Sequence, residues 1–240
     1  MKKLLIPCLA ILLASCASGD ATMEGSAKEN YAATKQMLED GKYGKATAEF
    51  EKFTSKYPYS PYSVQAEMLR AFAAYKDGQY IVSEIVCEEF IRRHPRHPDV
   101  AYAKYLLGMS HYKQVSPPER DQGETKKAID AFKRLLDEHP KSQYAADGAR
   151  RLQKLYNSLA KHEVNVGNFY FDKGRYVAAA NRFQNVIREY QTTPAIEEAL
   201  YRLAASYSAL GIKNSARTTS KLLQHNYPNS EWSKEAERFL

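Results

Sequence analysis

The chain has 240 residues, of which 44% are apolar, and a formal net charge of +7. That apolar share is enough for a buried core, and the length admits one large domain, two small ones or a one-dimensional array. The basic residues are dispersed, with no run dense enough to hold nucleic acid, and 18 tyrosines against a single tryptophan predict amphipathic rings at the surface.

The N-terminus carries Lys2 and Lys3, then an apolar stretch from Leu4 to Leu13 too short to cross a bilayer. Residues 1–15 are expected to be a signal peptide. Leu13-Ala14-Ser15-Cys16 resembles a bacterial lipobox, so Cys16 is the expected lipidation site, carrying a diacylglyceride and an N-acyl chain. Several chains, at roughly 0.8 kcal/mol per buried methylene, make a stable anchor where one is marginal. Ala17 follows Cys16, which by resemblance to bacterial sorting rules favours the outer membrane. Residues 16–28 are small and polar and read as a flexible, lipidated tether. Once residues 1–15 are removed, the side-chain charge falls to +5. Cys87 is then the one cysteine without an assigned fate, so no intramolecular disulfide is possible. Its place in a repeated core position predicts a buried apolar residue rather than a reactive thiol.

A frame then recurs five times. It begins at Gly41, Gly78, Gly123, Gly174 and Gly211. Five residues on stand Ala46, Ser83, Ala128, Ala179 and Ala216; nine on stand Phe50, Cys87, Phe132, Phe183 and Ser220. Sixteen on come Tyr57, His94, His139, Tyr190 and Tyr227, each followed by proline except in the fourth frame, where Gln191 stands and the proline is delayed to Pro194. Glycine suits the left-handed position that closes a helix. The +5 and +9 residues lie one turn apart on one face, and proline stops the helix. The spacing predicts helices over 29–40, 43–57, 60–77, 80–94, 98–113, 124–138, 143–173, 175–190, 195–210, 213–226 and 230–240, with no strand. The last is expected to be a polar cap with Glu231, Lys234, Glu235 and Arg238 outward.

The small-x3-aromatic-x7-Pro pattern of Ala46/Phe50/Pro58 and Ala128/Phe132/Pro140 resembles the tetratricopeptide repeat (TPR). So do Val166-Gly167-Asn168-Phe169-Tyr170 and Leu203-Ala204-Ala205-Ser206-Tyr207 upstream of later frames. The resemblance implies an all-α, right-handed solenoid of five TPR-like helix pairs plus a C-terminal capping helix. The frame starts lie 37, 45, 51 and 37 residues apart, longer than the usual repeat. The extra residues fall in a loop over 114–123 and in one long helix over 143–173 that bridges the third and fourth units. The solenoid is thereby expected to divide into halves at 29–140 (units one to three) and 141–240 (units four, five and cap).

Chemistry is not expected from this chain. His94, His97 and Asp99 flank Pro95 and Pro98 in an inter-helix turn rather than sharing a helix face, so no metal is expected there. There is no nucleophile elbow, phosphate loop or zinc-protease motif, and the carboxylates are scattered over helix surfaces. Peptide recognition remains. Tyr57-Pro58-Tyr59-Ser60-Pro61-Tyr62 packs three rings and two prolines into one turn. Tyr57, Tyr59, Pro61 and Tyr62 are therefore candidates for docking an extended peptide. On the eighth helix, Arg175 and Arg182 lie two turns apart at one edge of the Tyr176–Phe183–Tyr190 stripe. That makes them candidates for an acidic partner.

Taken with the lipobox, the wording of 57–63 and of Arg151-Leu152…Leu159-Ala160-Lys161…Glu163…Val166…Tyr170…Gly174…Val177…Asn181-Arg182 is similar to the ComL/YfiO family of lipoproteins of the outer-membrane β-barrel assembly (BAM) machinery. The resemblance spans essentially the whole chain after the signal segment. It implies a non-enzymatic, cofactor-free subunit, lipid-anchored at the periplasmic face of the outer membrane. It further implies a C-terminal half that docks the POTRA region of BamA and supports the other BAM lipoproteins, and N-terminal repeats that receive unfolded outer-membrane proteins. Asn181 and Arg182 match the family's Asn-Arg pair and become candidates, with Arg175, for contact with BamA. The 114–123 loop is short against the family pattern. The rival readings are a periplasmic TPR adaptor of cell-wall or division machinery, which predicts a coiled coil or second domain, and a hydrolytic lipoprotein, which needs a catalytic constellation; the chain shows neither.

Overall fold

The computed structural model describes residues 25–240. The signal peptide, Cys16 and the tether up to residue 24 lie outside them. Eleven α-helices follow one another with no strand among the described residues: α1 Ala27–Glu39, α2 Tyr43–Lys56, α3 Ser63–Lys76, α4 Tyr80–Arg93, α5 Val100–Lys113, α6 Gly123–Glu138, α7 Ala145–Asp172, α8 Tyr176–Glu189, α9 Ala195–Ala209, α10 Lys213–Asn226 and α11 Glu231–Glu235. Each helix packs on the next in sequence order, and α7 also reaches α9. This is the all-α, TPR-like solenoid of helix pairs expected from the frame.

The first helix starts two residues earlier than its apolar pattern suggests. Ser26 and Glu29 form a capping box, with the Ser26 Oγ accepting from the Glu29 N–H at 3.3 Å and Glu29 Oε2 accepting from the Ser26 N–H at 2.8 Å. Four of the five frame glycines do close helices. Gly41, Gly78, Gly174 and Gly211 have φ between 70° and 80°. The residue after each bonds back to a carbonyl five residues earlier, as Lys42 does to Met37. Gly123 is the exception. It opens α6, its N–H bound to Asp121 Oδ1 at 2.8 Å. The inserted loop separates it from α5, which ends on Gln114 instead.

The turn at the other end of each frame is the same throughout. The carbonyls of Tyr57, His94, His139, Tyr190 and Tyr227 each accept an N–H from three residues on, at 3.0–3.1 Å. Gln191 makes this turn as well as the prolines do, so proline is not what shapes it; Pro194 instead caps α9.

Packing explains the frame. Every +5 and +9 residue is buried, and so is a third position, +12, occupied by Phe53, Phe90, Leu135, Val186 and Leu223. Burying each of the Phe, Leu and Val side chains among them stabilises by about 1.5–3 kcal/mol relative to exposure. Cys87 and Ser220, small residues at +9, sit one turn from a large residue at +12. The paired helices come close where Gly108 faces Phe132 and Gly167 faces Phe183; a Cβ on Gly167 would lie 2.5 Å from the Phe183 ring.

Helix α7 is 28 residues long and continuous. The loop before α6 is strapped to it. His162 Nδ1 donates to the Pro118 carbonyl at 2.6 Å, and Asn165 reaches Glu119 at 3.4 Å. Gln122 holds the loop from within, donating to the Pro117 and Arg120 carbonyls and accepting from the buried Thr125 hydroxyl. Nearby, Asp147 receives hydrogen bonds from Arg151, Tyr105 and Arg150. Burial alone would push its carboxyl up, but these bonds outweigh that and hold it at about 2.

The C-terminal cap departs from expectation. It breaks after Glu235 into a 3-10 turn over Ala236–Phe239. Trp232 and Phe239 both press on Tyr201, with ring centroids at 5.0 and 6.0 Å. Arg238 is not simply outward: it donates to the Tyr201 hydroxyl and lies over the Phe239 ring.

Candidate functional site

Helix α8 begins at the turn made by Gly174, which throws Arg175 to the start of the helix beside the C-terminal part of α7. The two helices enclose an open groove of about 680 Å³. Arg175, Asn181, Arg182 and Arg188 from α8, and Glu163 and Tyr170 from α7, line it. The structure thus brings Arg175 and Arg182, singled out by their spacing, and Asn181, named from the family resemblance, into one concavity. Their situations differ. Arg182 Nη1 is 3.2 Å from Glu163 Oε2. Arg188 is engaged by Glu189 at 2.6 Å and by Asn185 at 3.0 Å. The Arg175 side chain has no ion pair or hydrogen bond among the described residues and is exposed. Three guanidinium groups against one carboxylate leave the groove lining with a charge of +2. Phe169, set edge-on to Tyr170 at 5.7 Å, and Val177, one turn before Asn181, are large exposed apolar side chains on the same two helices. Guanidinium groups on helices that also expose aromatic and aliphatic side chains are suited to a protein-binding surface. Glu163 stood in the sequence only as part of the family wording, with no role assigned, although its seven-residue spacing from Tyr170 matches that of Arg175 and Arg182.

The aromatic turn separates into two kinds of residue. Tyr57 belongs to the core beneath it: its ring tilts on Phe53 at 5.2 Å, and its hydroxyl donates to the Gly25 carbonyl and accepts from Asn30, each at 3.0 Å. Tyr62 stacks on Tyr31 at 4.9 Å and 18°. Both tie α1 to the first turn. Tyr59 is 99% exposed and Pro61 is exposed beside it. The sequence suggested many surface rings; in the structure Tyr59 alone of the 18 tyrosines is fully exposed, and the rest are half-buried or buried, most of them in ring pairs. A ring needs its flat faces packed, and the repeat supplies neighbours to all of them but this one.

Cys87 is fully buried, and burial pushes its thiol up to about 12. It therefore stays protonated and unreactive at neutral pH. His94 and His97 do not act together: His94 Nε2 lies 3.1 Å from Glu67, and His97 Nδ1 accepts the Asp99 N–H at 3.2 Å. A different trio does converge. The buried His111 on α5 places Nδ1 2.8 Å from Glu124 Oε2 on α6 and 3.2 Å from Glu84 Oε1 on α4. Spacings of 27 and 13 residues give no local motif, so sequence reading misses this group.

The chain matches the family described as YfiO, outer membrane lipoprotein, over residues 23–223. It is 37% identical over 204 residues to an outer membrane protein assembly factor BamD of Rickettsia prowazekii, covering 85% of this chain and 81% of the relative. The BamD of Neisseria meningitidis serogroup A is 33% identical, over 96% of this chain and 93% of the relative. That of Caulobacter vibrioides is 30% identical, over 88% and 69%. Among solved structures, the TPR2AB domain of yeast Sti1 superposes with a TM-score of 0.42 at 16% identity, covering 88% of this chain and 81% of that one.

Proposed function

The chain belongs to the YfiO family of outer membrane lipoproteins, and from that premise we propose that it is a non-enzymatic scaffold in the assembly of outer-membrane proteins. In this reading Cys16 anchors it to the outer membrane from the periplasmic side. No helix among the described residues is long and apolar enough to cross a membrane, which is compatible with attachment by lipid. The α7–α8 groove docks an acidic surface of the POTRA region of BamA, and the solenoid behind it supports the other lipoproteins of the BAM complex. Tyr59 and Pro61, at the far end of the array, meet the extended aromatic-ended segment of an unfolded β-barrel protein. A single exposed ring holds such a segment weakly, as a handover step requires.

The observation that carries the docking reading is the charge of the groove: Arg175 stands unpaired beside Arg182, with Glu163 the only carboxylate in the lining. Guanidinium groups held by a rigid helix pair are suited to bidentate contact with carboxylates. Arg182→Glu is expected to reduce co-purification of BamA from detergent-solubilised membranes by at least about tenfold, with helical circular dichroism unchanged. Undiminished recovery of BamA with this variant refutes the reading.

A further inference from the structure

The geometry points to a site for a zinc-class divalent cation formed by Glu84, His111 and Glu124. These residues come from three successive helices, α4, α5 and α6, so the site joins the second helix pair to the third. Their donor atoms all lie within 4.8 Å of one another. Zinc binds nitrogen and oxygen at about 2.0–2.2 Å, which places tetrahedral donors about 3.3–3.5 Å apart. The His111 Nδ1 to Glu84 Oε1 distance is already 3.2 Å and that to Glu124 Oε2 is 2.8 Å. Closing the set needs only small rotations that draw the two glutamate oxygens toward each other and ease Glu124 Oε2 back from Nδ1.

The surroundings fit a cation better than they fit a proton. One Nδ1–H cannot donate fully to two carboxylates at once, whereas a metal at that point bonds to all three groups. Two carboxylates and a neutral imidazole carry a charge of −2; the Lys127 ammonium beside Glu124 offsets one of these charges, while Glu84 has no Lys or Arg ion-pair partner among the described residues. Each carboxylate also has an outer partner of the kind that orients metal ligands. Gln114 donates to Glu84 Oε1, the oxygen that also faces the imidazole, and Lys127 Nζ sits 2.8 Å from Glu124 Oε1, leaving Oε2 facing the imidazole. His111 is 6% exposed, so its ring is held by packing. A groove of about 570 Å³ opens onto Glu84 and His111 from solvent and gives the ion an entry path and a water for its fourth position. A nitrogen donor with two carboxylates favours zinc over magnesium or calcium, which take oxygen alone.

The test uses the purified full-length protein in detergent, stripped of metal by a chelator. Zinc chloride is titrated in by calorimetry, and thermal unfolding is followed with and without zinc. One equivalent of saturable uptake, with a rise in melting temperature reversed by chelator, is expected. His111→Gln is expected to abolish that uptake, and Glu124→Gln, whose side chain is partly exposed and so leaves the fold intact, to weaken it at least about tenfold. Absence of saturable uptake by the wild type overturns the proposal. So does full uptake by His111→Gln, or an unchanged zinc affinity in Glu124→Gln should the histidine variant fail to fold. Equal stabilisation by magnesium chloride overturns the choice of ion and with it the site.

Discussion

Tyr59 and Tyr62 stand three residues apart in one turn and do different work. The Tyr62 ring is stacked on Tyr31 within the cluster that closes the first repeat, while Tyr59 touches little. Tyr62→Ala is expected to cost about 1–3 kcal/mol in urea unfolding, because a packed ring pair and its cluster contacts are lost. Tyr59→Ala is expected to stay within about 0.5 kcal/mol of wild type while lowering photo-crosslinking to a peptide ending in a barrel-type aromatic strand. Equal stabilities for the two variants would show that the turn is not divided in this way. The sequence presented both as one aromatic patch, since burial depends on where α1 lies, and α1 reaches the turn only in the folded chain. Cys87 was more legible: its core position followed from its place in the frame, and its burial agrees.

At the scale of helices, the frame is a packing rule, and its weakest point is the closest approach. Gly167 on α7 faces the buried ring of Phe183 on α8. Glycine to alanine within a helix ordinarily gains about 1 kcal/mol. Here the added methyl group meets the ring at 2.5 Å, and overpacking costs about 1–3 kcal/mol. Phe183 is fully buried and has nowhere to move, so the clash outweighs the gain. Gly167→Ala is expected to lower the urea midpoint of unfolding; a raised midpoint would mean that the ring can yield. The pairing of a small residue with a large one was visible in the sequence at +5 and +9. The third buried position, +12, was not singled out there, although its occupants are all large and apolar. The glycine rule failed only at Gly123, where an insertion changes which end of a helix the residue occupies.

For the molecule as a whole, the long helix and the strap decide how the array holds together. We propose that the halves 29–140 and 141–240 meet along α7, and that the loop bound to His162 and Asn165 limits bending between them. One hydrogen bond of this kind contributes about 0.5–1.5 kcal/mol, enough to set local opening without setting global stability. His162→Ala is expected to speed amide hydrogen exchange at Glu119 to Asp121 while exchange in α2 and α9 stays the same. Unaltered exchange in the loop would remove the strap from this account.

The sequence by itself determined the repeat, the helix count, the boundaries to within a few residues except at the C-terminal cap, and the family. Each of these depends on spacing along the chain, which the periodicity of a helix converts directly into a buried face. Only the tertiary structure decided which aromatic rings are free, which of the groove arginines is unpaired, and that Glu84, His111 and Glu124 meet. Those facts depend on distances between helices, and residues far apart in the chain leave no local pattern until the solenoid stacks them.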